Sequence, residues 1–167
     1  SEEDYYTLTS RCIHGLFHCF QIEKGIDTPD YKTRHMGERT ARLLLKMEWK
    51  ALERAIRSPG QARKQAVRDA LVFRSARQEI YPDYKKDENN FENYEGLASF
   101  TYMKLCTSSE KEYLRKLLDY YHMIYDFRSY TFSYGFVHGN LYAYLLDEKD
   151  FDFSGIDSRD FDLGEAL

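Results

Sequence analysis

Apolar residues recur at helical spacing through most of the chain, and glycine, proline and short polar clusters punctuate them. Ile13, Leu16, Phe17 and Phe20 form one stripe, and Gly25 with Asp27, Thr28 and Pro29 supplies a stop, so a helix is predicted over about residues 5–24. A second follows over about 37–57, where Ser58, Pro59 and Gly60 break it, and a third over about 61–80, ending before Pro82. Residues 85–90 read as a polar linker, and a fourth helix spans about 90–106. The cluster Thr107, Ser108, Ser109 and Glu110 is a good N-cap for a fifth, reaching about Tyr125 with Leu114, Leu117, Leu118 and Tyr121 as its buried stripe. Residues 128–147 are aromatic and interrupted by Gly135 and Gly139, which predicts a broken helix rather than a strand; an acidic loop and one short turn close the chain. The fold class expected is all-α, with about six helices gathered around the one that carries His14 and His18.

The 167 residues suffice for one domain with its own core, spanning 1–167. Hydrophobic residues make up 43% and charged residues 31%, ordinary for a folded chain, while 15 tyrosines and 11 phenylalanines make the interior or a cleft unusually aromatic. A net charge of -4 with no segregated Lys/Arg block argues against nucleic acid and against an anionic membrane surface. No apolar run approaches the roughly 20 residues that span a bilayer, so a soluble chain is expected, secreted or periplasmic if a signal peptide has been removed. Cys12 and Cys19 would lie about 10 Å apart along one helix, too far to bridge. With Cys106 they are read as buried, reduced thiols.

Candidate chemistry begins with His14 and His18, four residues apart, which a helix presents on one face one turn apart, as two metal ligands require. Glu95 falls on the same helical sector as Phe91, Ala98 and Tyr102, where a carboxylate needs a partner. Two histidines and a glutamate with an open fourth position form a known catalytic zinc ligand set.

The ordered segments His-Gly-Leu-Phe-His-Cys-Phe-Gln, Met-Glu-Trp-Lys-Ala-Leu and Glu-Gly-Leu-Ala, with looser matches at Arg128-Ser-Tyr and Gly139-Asn-Leu-Tyr, resemble a largely uncharacterised bacterial family of gluzincin-like HExxH zinc metallopeptidases. The resemblance covers about residues 11–147. It implies His14, His18 and Glu95 as ligands of a zinc ion and Tyr142 as a stabiliser of a developing oxyanion. It also implies that Gly15 stands where a glutamate would act as general base, and that Ser99 replaces a second glutamate. Since such proteins carry a small sheet ahead of the HExxH helix, the chain is expected to be the C-terminal part of a longer protein.

Two charges on apolar faces, Glu48 on the second helix and Arg74 on the third, suggest each other. Either they form a buried ion pair, or Glu48 is an acceptor that orients His14 or His18, or both. His122 and His138 read as structural, with His138 close enough to the expected cleft to bind substrate or replace a ligand. The tyrosines at 130, 134, 142 and 144 read as core. The expected function is a degenerate zinc metallopeptidase-like domain with little or no hydrolysis of peptides. The alternative is a metal-free helical domain that binds a peptide or protein partner through an aromatic cleft. A third reading recruits another carboxylate, Glu92 or Glu23, as a substitute base.

Overall fold

The computed structural model describes residues 2–26, 28, 32–156, 158 and 160–167, with residues 2 and 3 described by backbone alone. All regular structure among them is helical: α1 (Glu2–Glu23), α2 (Arg39–Arg57), α3 (Gly60–Ile80), α4 (Lys85–Phe91), α5 (Leu97–Cys106), α6 (Glu110–Tyr125), α7 (Tyr134–Asp147) and the short α8 (Leu163–Ala166). A π-helical turn, Glu92–Gly96, joins α4 to α5, so the expected polar linker is instead the first part of a rod running from Lys85 to Cys106. Its polar residues Glu88, Asn89 and Asn90 are buried, which is why they resemble a linker in composition but not in structure. Of the stop after α1, Gly25 takes a positive φ of 79°, while Asp27 and Pro29 lie outside the described residues.

α2 and α3 form a long antiparallel pair, and α7 lies at the centre, touching the π turn, α5, α6, α2, α4 and α8. The predicted break in α7 does not occur. Its glycines are there for close approach: a Cβ on Gly139 would sit 2.3 Å from the Glu92 carbonyl oxygen, and one on Gly96 would sit 2.5 Å from the Gly139 Cα. A Cβ on Gly135 would meet the Phe91 ring at 2.4 Å. Glycine therefore lets α7 lie directly on the backbone of the π turn. At the start of α6 the expected cap is present: Ser109 Oγ accepts from the Glu112 amide at 3.2 Å, and Glu112 accepts in return from the Ser108 amide at 2.9 Å.

The interior holds a network of charges. Arg77 donates to Glu48 and to Glu88, the latter at 3.0 Å from Nη2, and His35 Nε2 reaches Glu88 at 2.6 Å. Arg74 grips both oxygens of Glu92 at 2.9 and 3.0 Å and reaches Asn89 at 2.9 Å and Asp162 at 3.1 Å. The expected Glu48–Arg74 pair is thus only a secondary contact of 3.8 Å. Arg77, one turn farther along α3, takes Glu48, because Arg74 is occupied by Glu92. Burial works against ionising Glu48 and Glu88. The Arg77 charge outweighs it, assisted at Glu48 by His138, and holds Glu88 down at about 2 and Glu48 lower still.

α1 reverses the expected orientation. Leu16 is 67% and Phe20 48% exposed, with Leu8 and Ile22 also in solvent, whereas Ser10 and Gln21 are buried. Phe17 alone of the predicted stripe packs against the core. The same rotation leaves Cys12 and Cys19 exposed and Cys106 half-buried, all three unbridged, so the expectation of buried thiols does not hold.

Two outcomes follow for stability. Arg77→Met strands two buried carboxylates and lowers the unfolding free energy by about 3–5 kcal/mol in urea titration, whereas Gly15→Ala, whose Cβ meets nothing within 4 Å, raises it by up to about 1 kcal/mol. Carboxylates with depressed folded-state pKa values stabilise the fold fully above the ordinary 4.5 and lose that contribution as pH falls toward 2. Wild-type stability therefore falls steeply with acid over that window.

Candidate metal centre

His14 and His18 project from α1 toward the rod, and Glu95 meets them from the π turn. His14 Nε2 lies 3.0 Å from His18 Nε2 and 3.1 Å from Glu95 Oε2, and His18 Nε2 lies 3.4 Å from the same oxygen. Four ligands placed tetrahedrally at about 2.0–2.1 Å from a zinc ion are separated by about 3.3 Å, so these three atoms have the spacing of one tetrahedral face. Side-chain exposures of 24% for His14, 19% for His18 and 12% for Glu95 leave the group reachable from solvent.

Gln21 determines which nitrogen His18 offers. Its amide Nε2 donates to the carbonyl oxygens of Asn93 at 3.1 Å and Tyr94 at 3.3 Å, which can only accept. The amide oxygen must then be the atom facing His18 Nδ1, 2.8 Å away, so that nitrogen carries hydrogen. Neutral His18 consequently presents its Nε2 lone pair to Glu95 and His14, the tautomer a metal ligand needs. The ring is further held by stacking on Tyr94, centroids 4.2 Å apart, while His14 lies between Tyr102 and Phe136. Burial opposes protonating His18, but Glu95 and Gln21 outweigh it and raise its pKa; burial likewise opposes ionising Glu95, and the two histidines hold it down at about 2.

The remaining candidates lie elsewhere. Tyr142 is fully buried and donates to Glu48 Oε1 at 2.7 Å, so its hydroxyl is committed to the charged interior and offers nothing to an oxyanion in a cleft. Glu48 touches neither His14 nor His18; it contacts Arg77, Tyr142 and His138, and the orienting acceptor is Gln21. Arg74 belongs to the same interior network. His138 accepts from Trp49 Nε1 at 2.8 Å and faces Glu48 and Glu92, a structural role. Glu92 is sealed in its bidentate pair with Arg74, which removes it as a substitute base. Gly15 is exposed, with open space around it, and contributes no acid–base group. Gln21, one turn beyond His18 on a face with Ser10 and both histidines, was detectable as a polar i, i+3 neighbour, but its role depends on the carbonyls of a distant turn.

Among protein-family models, curated proteins and solved structures, none matches this chain.

The tautomer can be read directly. Long-range nitrogen–proton spectra of the chelator-treated protein at pH above the His18 titration are expected to show His18 protonated at Nδ1, and Gln21→Leu, which removes the acceptor, is expected to mix the two tautomers.

Proposed function

We propose that this chain is a degenerate relative of the HExxH zinc metallopeptidases, which holds zinc through His14, His18 and Glu95 but has lost the general base at Gly15. The observation that carries the reading is the triangle of two imidazole nitrogens and one carboxylate oxygen, with edges of 3.0, 3.1 and 3.4 Å. Two lone-pair nitrogens and an anionic oxygen suit zinc better than magnesium or calcium, which favour all-oxygen sets. A zinc ion bound there supplies Lewis acidity toward a carbonyl oxygen while leaving a fourth position open.

The chain's own residues define what is missing. Gln21 and Tyr94 hold His18 in a fixed orientation, and the histidines keep Glu95 ionised. No carboxylate stands at Gly15 to take a proton from an attacking water, and Glu92 cannot swing out of its pair with Arg74 to do so. Peptide bonds are the substrate class to which such a site would be addressed, and hydrolysis is expected to be feeble or absent.

Elemental analysis of protein purified without chelator is expected to find close to one zinc per chain, lost in His14→Ala. Gln21→Leu is expected to weaken zinc binding by about 10- to 100-fold, since it disturbs the group that orients a ligand. Gly15→Glu, whose Cβ meets nothing within 4 Å, is expected to raise hydrolysis of a fluorogenic peptide library by about 100- to 10,000-fold. Absence of zinc from wild-type protein supplied with it in excess would overturn the reading and leave a metal-free helical domain.

A further inference from the structure

Beside the candidate centre lies a cavity of about 430 Å³, walled by Arg11, His14, Ser99, Tyr102, Tyr120 and Phe136. His14 belongs to both, so the cavity adjoins the triad. Its polar lining consists largely of donors that lack acceptors. Arg11, one turn before His14, makes no hydrogen bond or ion pair among the described residues, and neither do the hydroxyls of Tyr102 and Tyr120 make a hydrogen bond there. Ser99 lines the same wall, and its Oγ is buried with no hydrogen-bond partner among the described residues. A buried hydroxyl without a partner is costly.

We propose that this cavity binds the carboxylate of a ligand whose other end reaches the triad, an inference that rests on the zinc reading for its orientation and on the cavity alone for its chemistry. One guanidinium supplies a single positive charge in a planar fork, which matches a carboxylate rather than a phosphate dianion. The hydroxyls of Tyr102 and Tyr120 supply further donors. Phe136 and the tyrosine rings give the rest of the cavity an aromatic wall, so the carboxylate belongs to an apolar or aromatic group. The C-terminal end of a peptide and a free aryl-alkanoic acid share this chemistry.

The test is titration calorimetry with acetyl-Gly-Phe, its C-terminal amide and 3-phenylpropanoate, on protein with and without zinc. The acid form of the peptide is expected to bind about 10- to 100-fold tighter than the amide, the value of a charge-assisted pair. Arg11→Gln, an exposed position, is expected to remove that preference while leaving zinc content and amide binding unchanged. Tighter binding of the peptide acid than of 3-phenylpropanoate supports a peptide end, and equal binding supports a free acid. Equal affinity for acid and amide, a preference that survives Arg11→Gln, or no binding of any probe overturns the proposal. An acid preference in protein that holds no zinc would retain the carboxylate site and reject the zinc reading; zinc without acid preference would do the reverse.

Discussion

Two arginines on one face of α3 set the rotation of everything that follows them. Arg77 holds Glu88 and Arg74 holds Glu92, and these two glutamates are one turn apart on the rod that, in its π turn, presents Glu95. Ion pairs of this kind contribute modestly to net stability, because desolvation consumes much of their attraction, but they are intolerant of misalignment. An apolar rod could turn about its own axis by tens of degrees at little cost. A rod whose carboxylates must meet two guanidiniums cannot, and the direction of Glu95 is inherited from that constraint.

α1 is attached on different terms. It turns Ser10, His14, His18 and Gln21 inward against α5 and the π turn, and leaves Leu16 and Phe20 in solvent. Its docking therefore depends on polar contacts: Gln21 to two backbone carbonyls, both histidines to Glu95 and to aromatic rings. Local preference and observed orientation disagree here, and disagreement of that kind concentrates where a chain serves a function besides folding. The same helix contributes Arg11 to the neighbouring cavity, so the polar inward face of α1 serves both candidate sites.

The all-α class and the approximate positions of the long helices were legible from periodicity and punctuation, and the meeting of His14, His18 and Glu95 from a four-residue spacing and a carboxylate on an apolar sector. What periodicity could not provide was direction. It marks the apolar side of α1, and the fold buries the other. It marks Glu48 and Arg74 as buried charges, yet partner choice depends on Arg77 and on Glu92, which a helical wheel does not pair across helices. Gly135 and Gly139 read as breakers because the close passage of α7 over the π turn exists only in three dimensions.

That turn has one more consequence. In an uninterrupted α-helix, Glu88, Glu92, Glu95 and Ser99 would fall in a single stripe, since intervals of four and three residues return to the same side. The five residues of the π turn act as an insertion of one residue, a phase slip of about 100°. The slip divides one stripe into two addresses: Glu88 and Glu92 go to the arginines of the interior, and Glu95 goes to the solvent-reachable histidines of α1. A single codon's worth of length between residues 92 and 96 thus separates what holds this protein together from what it can offer a ligand.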